Sequence, residues 1–273
     1  MSQKDLAERL RQLHHGSGPV VLANCWDVGS ARLLAEAGAP AVATSSAAIA
    51  NTCGYADGER IPRAEMMAVV ARIARALSIP VSADCEGGYS RDPKEVGETA
   101  RLVLASGAVG MNLEDSEADE TRLVPLELQL EKIRAVLAAA AAAQIPLVLN
   151  ARVDAFFLYA NPPADPFAEA VRRAQAYRAV GADCIFVPGL RDLVTIRRLL
   201  EASPGPLNIL AGAGCPSVGE LAQAGVRRVS LGSQPYLAAL GLLRHLEAEL
   251  RGPGTFTSVA GSLPYAEVNG WFR

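Results

Sequence analysis

The chain has 273 residues, 50% of them apolar and 20% charged, with a formal net charge of −3. This length and apolar share can bury a large core, as two small domains or one barrel-sized domain. The basic residues are scattered rather than clustered, which excludes a phosphate-neutralising surface and with it nucleic acid as a partner; no run of about 18 apolar residues could span a membrane.

The first fifteen residues are charged and helix-like, unlike a secretory signal, so a soluble cytoplasmic protein is expected, with His14 and His15 solvated on that helix. The first apolar run covers 20–24 and leads into Trp26-Asp27, where Asp27 is placed to cap a helix opening at Val28 or Gly29. A second run at 41–45 ends in Ser45-Ser46-Ala47-Ala48, whose hydroxyls and backbone N–H groups suit an anionic oxygen; Gly54-Tyr55-Ala56-Asp57 follows. The third run, 81–86, enters Gly87-Gly88-Tyr89 before a helix starting near Asp92-Pro93. The fourth, 110–114, precedes a short acidic stretch, 115–123, read as a mobile lid. Leu126, Leu130, Ile133 and Val136 at helical spacing then make the Ala-rich run 135–143 a packed helix. The remaining runs lie at 147–152, 184–187, 207–211 and 228–232. Gly212-Ala213-Gly214 and Gly232-Ser233 sit where many barrels hold phosphate, yet no Lys or Arg stands within those loops.

Eight apolar runs alternating with helical stretches, without a break in composition, predict an α/β fold of the (β/α)8 barrel type in a single domain. Gly38, Gly107 and Gly181, each just before the next run, are expected to end helices in left-handed conformation. Five cysteines, odd in number and without CxxC spacing, speak against a disulfide framework or structural zinc; most are expected to be small buried hydrophobes.

Barrel enzymes carry their chemistry at the C-terminal strand ends, which is where Asp57, Asp84, Glu86 and Glu114 fall. The period of two puts Asp84 with Glu86, Asn112 with Glu114, and Asn150 with Arg152 and Asp154 on shared faces. Carboxylates crowded together repel one another unless a cation joins them, and a divalent metal is the simplest remedy. Asp115 points away and is expected to cap the following turn. Arg152 suits a bidentate grip on a substrate carboxylate. No His stands at a strand end, so a Ser-His-Asp hydrolase is hard to build.

Taken in order, Asn24-Cys25-Trp26-Asp27, Ser30-Ala31-Arg32, Thr44-Ser45-Ser46, the stretch 84–89, Asn112-Leu113-Glu114-Asp115, Asn150-Ala151-Arg152 and the stretch 225–232 resemble the isocitrate lyase and phosphoenolpyruvate mutase superfamily. The resemblance implies a homotetramer in which the C-terminal helical segment, about 235–273, is exchanged between subunits. It also implies Mg²⁺, with Mn²⁺ possible on the same oxygen ligands. Asp84 is similar to the direct metal ligand, while Asp57, Glu86 and Glu114 match the acids that hold the metal's waters. Ser45, Ser46 and Ala47 match the turn that binds the substrate carboxylate, and Arg152 matches the substrate arginine. Arg152, Glu114 and Tyr89 are the catalytic candidates, with Tyr89, Glu117 and Glu120 as proton carriers.

Family substrates are 2-oxo or 2-hydroxy di- and tricarboxylates, or phosphonopyruvate. The thiol-bearing loop of isocitrate and methylisocitrate lyases is absent: the corresponding stretch, 115–123, contains no Cys. The expected activity is therefore a Mg²⁺-dependent carbon–carbon lyase or decarboxylase working through a metal-stabilised enolate on oxaloacetate, a substituted malate or an isocitrate-like acid. Two alternatives are phosphonopyruvate hydrolase or mutase chemistry, which the acidic loop disfavours, and a non-catalytic binding protein for 2-oxo acids.

Overall fold

Every one of the eight apolar runs becomes a parallel strand. In a computed structural model of the chain, which describes residues 1–117, 121–158 and 165–273, these are β1 (Val20–Leu22), β2 (Asn24–Cys25), β3 (Val42–Thr44), β4 (Val81–Asp84), β5 (Gly110–Leu113), β6 (Val148–Arg152), β7 (Cys184–Phe186), β8 (Leu207–Leu210) and β9 (Arg228–Ser230). β1 and β2 are halves of one predicted strand, interrupted at Ala23. β1 pairs with β9, Val20 opposite Arg228, and β2 with β3, Asn24 opposite Ala43, so the interrupted strand closes the sheet into a (β/α)8 barrel.

The helices are α1 (Gln3–Leu13), α2 (Val28–Glu36), α3 (Ser46–Thr52), α4 (Arg63–Arg75), α5 (Pro93–Ser106), α6 (Leu126–Ala143), α7 (Ala155–Leu158), α8 (Pro166–Ala179), α9 (Leu193–Ala202), α10 (Val218–Ala224), α11 (Gln234–Arg251) and α12 (Tyr265–Gly270). Their starts obey the local chemistry of the sequence. Asp27 accepts from the Ser30 N–H at 2.7 Å, while Asp92 caps α5 with Pro93 in its first turn. Gly38, Gly107 and Gly181 have φ of 88°, 96° and 109°, the left-handed region that makes glycine the fitting residue there. The Ala-rich run is the last part of α6, which packs along α5 and buries Val136 and Ala140.

The main core lies between the barrel wall and the surrounding helices. A second cluster closes the end where the strands begin: α1 sets Ala7 and Leu10 against Val20, Leu22, Ala41, Ala43, Val109 and Val148. His14 belongs to this plug, contrary to the expectation that it is solvated. It is 1% exposed, and its Nδ1 lies 2.8 Å from the Leu10 carbonyl. Burial first, and the charge of Arg228 second, lower its pKa to about 4. Of the cysteines, all free, Cys25, Cys85 and Cys184 are buried and Cys53 and Cys215 partly so.

The C-terminal segment behaves differently. α11 has no buried residue, and Leu237, Leu240, Leu243 and Leu250 lie exposed along it at helical spacing. Beyond it, Leu263, Val268 and Trp271 fold back to line a cleft of about 390 Å³ with Trp26, Leu33 and Leu34. Among the described residues, no helix is long and apolar enough to cross a membrane.

Candidate active site

At the C-terminal ends of the strands a cavity of about 210 Å³ is lined by Asn24, Ser45, Ser46, Ala47, Asp57, Asp84, Asn112, Arg152 and, on its apolar side, Phe157, Phe186, Pro188 and Leu210. Asp84 ends β4, and its carboxylate is held from two sides. Ser46 donates to Oδ2 from its N–H at 3.1 Å and its hydroxyl at 3.0 Å, and the Asn112 amide donates to Oδ1 at 3.3 Å. Asn112 is itself turned the right way round by Asn150, whose amide donates to its Oδ1 at 2.6 Å. The predicted faces of β4, β5 and β6 therefore meet inside the barrel.

The Ser-rich turn is not the open nest its sequence suggests. Ser45 Oγ accepts the Ala48 N–H at 3.4 Å and caps α3, while both Ser46 donors are engaged by Asp84. A substrate carboxylate at this turn competes with Asp84 for the same donors.

Glu86 leaves the strand alternation, because its φ is 50°; Gly88 at 93° and Tyr89 at 64° share the left-handed region. The loop is cross-tied to the one between α3 and α4. Glu59 N–H donates to Glu86 Oε2 at 2.5 Å, and the Tyr89 N–H donates to Glu59 Oε1 at 2.6 Å. Buried Lys132 on α6 secures it from outside, donating to the Gly87 carbonyl at 2.8 Å. Sequence reasoning missed Glu59 and Lys132, which carry no motif signal of their own. Glu86 is 3% exposed, and its Oε1 is buried without a hydrogen-bond partner. Burial, then Asp57, push its carboxyl up to about 8, and Asp84 and Glu59 add to the repulsion.

Arg152 faces the cavity but is already held. Its Nη1 lies 2.6 Å from Glu114 Oε2 and its Nε 2.6 Å from Asp154 Oδ1, with Ser116 Oγ bridging the two acids at 3.3 and 2.8 Å. Burial works against the guanidinium charge, yet Asp154 and Glu114 outweigh it and hold Arg152 protonated above its ordinary value. Phe157 and Phe186 flank the guanidinium at 5.8 and 5.9 Å. Glu114 is thus a partner of Arg152 in this geometry.

Of the proton-carrier candidates, Tyr89 and Glu117 are not among the residues that line the cavity. The Tyr89 hydroxyl is buried without a partner, and burial raises it well beyond the usual phenol range. Glu117 pairs with Arg91 at 2.7 Å. Glu120 lies outside the described residues, as does the tip of the predicted lid. The base of that stretch is a short hairpin: Ser116 bridges Leu123, and the Glu117 N–H donates to the Arg122 carbonyl at 2.9 Å. Asp115 does not cap a turn. Its carboxylate accepts the Asp154 N–H at 2.9 Å and pairs with Arg173 at 3.1 Å and the Tyr177 hydroxyl at 2.6 Å, all buried.

Among the described residues, no group of three or more His, Cys, Asp or Glu is gathered closely enough to hold a metal directly. Mg²⁺ keeps several waters and takes only one or two carboxylates directly, so a site for it needs no such cluster. The unpartnered Glu86 Oε1 and the mutual repulsion of Glu86, Asp57 and Asp84 fit a divalent cation whose waters they would receive.

The model of the family described as phosphoenolpyruvate phosphomutase matches residues 10–251. The chain belongs to this family, within the isocitrate lyase and phosphoenolpyruvate mutase superfamily. A family structure from Burkholderia cenocepacia, provisionally described as a lyase or mutase, is 37% identical over 99% of this chain and 97% of that one, with a TM-score of 0.92. The oxaloacetate decarboxylase of Pseudomonas savastanoi is 29% identical, covering 88% of this chain and 82% of its own length. A phosphonopyruvate hydrolase complexed with oxalate and Mg²⁺ is 26% identical over 99% of this chain and 95% of that chain, with a TM-score of 0.84.

Proposed function

We propose that the chain is a Mg²⁺-dependent carbon–carbon lyase of the decarboxylase kind, acting on a small 2-oxo acid such as oxaloacetate. The observation that carries this reading is the Asp84 carboxylate, oriented by Ser46 and Asn112 and facing Arg152 across one small cavity, with Glu86, whose Oε1 has no hydrogen-bond partner among the described residues, two positions along the chain. Similarity to an oxaloacetate decarboxylase and to a hydrolase that binds oxalate with Mg²⁺ supports it.

Asp84 would hold the cation, with Asp57 and Glu86 receiving its waters and Glu114 fixing Arg152. When bound there, Mg²⁺ would supply Lewis acidity that neutralises charge developing on the substrate. Arg152, clamped by Glu114 and Asp154, lines the cavity and orients the substrate carboxylate together with the Ser45–Ala47 turn. Phe157, Phe186, Pro188 and Leu210 exclude water from the reacting carbons.

Among the described residues, no Cys, His, Lys or Tyr lines this cavity. Aldol-type cleavage of a tricarboxylate needs both a base and an acid at the reacting atoms, whereas decarboxylation needs only the electron sink and a proton for the product. The lining therefore favours decarboxylation. The test is a mass-spectrometric turnover screen with Mg²⁺ over oxaloacetate, substituted malates, isocitrate, methylisocitrate and phosphonopyruvate. Loss of CO₂ from a 2-oxo acid, abolished by Asp84→Ala, is expected; release of phosphate from phosphonopyruvate alone would overturn the reading.

We further propose that the segment 235–273 is exchanged between subunits of a homotetramer, because α11 exposes a leucine stripe that its own barrel leaves uncovered.

A further inference from the structure

The buried face of α6 is apolar at Leu130, Ile133, Val136 and Ala140, yet it carries two polar side chains one turn apart, Gln129 and Lys132. Both reach backbone carbonyls of the segments that bear the candidate acids. The Gln129 amide donates to the Glu114 carbonyl at 3.0 Å, and the Lys132 ammonium donates to the Gly87 carbonyl at 2.8 Å. The two segments are also joined to each other, because the Glu114 N–H donates to the Glu86 carbonyl at 2.9 Å. Taking an ammonium out of water is unfavourable, and an apolar residue would suit this face better unless the contact itself is needed.

The Lys132 contact falls on strained backbone. Among the described residues four that are not glycine have a left-handed φ, and three of them, Glu59 at 58°, Glu86 at 50° and Tyr89 at 64°, belong to the two cross-tied loops. That conformation is unfavourable for a residue with a Cβ and persists only where its surroundings impose it. Here Lys132 holds Gly87, Thr99 Oγ1 donates to the Gly88 carbonyl at 2.8 Å, and the Glu59 carboxylate takes the Tyr89 N–H. On a regular strand Glu86 would share a face with Asp84. The left-handed turn instead sets its Oε2 on the Glu59 N–H and leaves Oε1 without a partner.

We infer that Lys132 is a positioning residue for the candidate metal site: by holding the Gly87 carbonyl it keeps Glu86 in the left-handed conformation that leaves Oε1 free to receive a water of the cation, while Glu59 braces the same loop. This rests on the reading of Glu86 given above and deepens it, since the group that would receive the water is itself held by a helix of the outer layer. Lys132 does not line the cavity, so it acts through the loop alone.

The experiment measures Mn²⁺, which accepts the same oxygen ligands as Mg²⁺, by electron paramagnetic resonance of the free ion in wild type, Lys132→Met and Lys132→Arg. Asp84→Ala identifies the site being counted, and melting of the metal-free proteins reports the fold. Loss of a group that orients a metal's outer partners weakens the metal about 10- to 100-fold. Lys132→Met should therefore bind Mn²⁺ about tenfold or more weakly, and Lys132→Arg, which keeps the charge and a donor, should recover part of the affinity. Charge alone predicts the reverse: removing a cation whose charge is felt by Glu59, Glu117 and Glu114 makes the surroundings more negative and tightens a divalent ion. Unchanged or tighter Mn²⁺ binding in Lys132→Met, whatever its melting temperature, refutes the inference. Where Lys132→Met does not fold, Glu59→Ala and Glu59→Gln carry the test, since Glu59→Gln removes the charge but keeps an acceptor for the Tyr89 N–H. Binding about tenfold weaker in Glu59→Ala than in Glu59→Gln supports the braced loop, and equal binding overturns it. If wild type shows no Mn²⁺ binding that Asp84→Ala abolishes, the reading of the first cavity fails and this inference falls with it.

Discussion

Replacing Arg173 with Met should cost the fold more than any change at the cavity wall. Asp115 is 0% exposed and Arg173 3%, and the guanidinium makes several separate contacts. Its Nη1 reaches Asp115 Oδ2 at 3.1 Å, Nη2 donates to the Val124 carbonyl at 2.8 Å, and Nε donates to Glu169 Oε1 at 2.6 Å. Removing one member of a buried pair leaves the other charge without compensation, at about 3–5 kcal/mol. For a domain of this size that is a fall in Tm of roughly 5–9 °C.

The deficit should also depend on pH in a definite direction. Burial, first, and Asp154 raise the Asp115 carboxyl above its ordinary range, while Arg173 opposes them. The native state therefore holds this proton more firmly than the unfolded chain. Stability contributed by the group is present below the ordinary Asp value of about 4 and declines as pH rises through the higher folded value. Without Arg173 the folded value moves further up, so the penalty grows with pH. Urea denaturation at pH 5 and pH 8 should give a deficit clearly larger at pH 8, and Asp115→Asn in the same chain should recover much of it. A loss below about 1 kcal/mol at both pH values would refute the account of a paired, buried network.

His14 gives a slope of opposite sign. Its pKa is lowered to about 4 in the fold, so the unfolded chain binds the extra proton between about 4 and 6.5, and stability falls by about 3 kcal/mol as pH drops across that window. His14→Leu should remove this dependence from stability curves measured between pH 4.5 and 7.5; an unchanged curve would show that the ring is not held neutral. If the proposed tetramer forms through the exchanged segment, Leu240→Glu with Leu243→Glu should shift the protein toward smaller species in light scattering. An unaltered mass would mean that the stripe on α11 is not a subunit contact.

Much of this was legible in the chain itself. Period-two runs of Val, Ile and Ala, punctuated by left-handed glycines and acidic or proline helix starts, specify local conformation, and eight such units leave few closed arrangements open. The positions of Asp84, Asn112 and Arg152 at strand ends followed from the same count, because register along a strand fixes the face of each side chain. What the period could not carry was anything that depends on a departure from it or on partners far apart in sequence. Glu86 turns off the strand at φ 50°, and Glu59, which holds it, is 27 residues away. Ser46 spends its donors on Asp84, and Arg152 spends its charge on Glu114 and Asp154, choices made by distances across the barrel mouth. His14 reads as a surface residue on a charged helix until α1 is laid under the barrel and buries it. Local sequence thus determined the elements and which end of them carries polar groups. Only closure of the barrel decided which charges meet, because electrostatic partnership depends on separation in space, and the barrel brings together residues that the chain keeps apart.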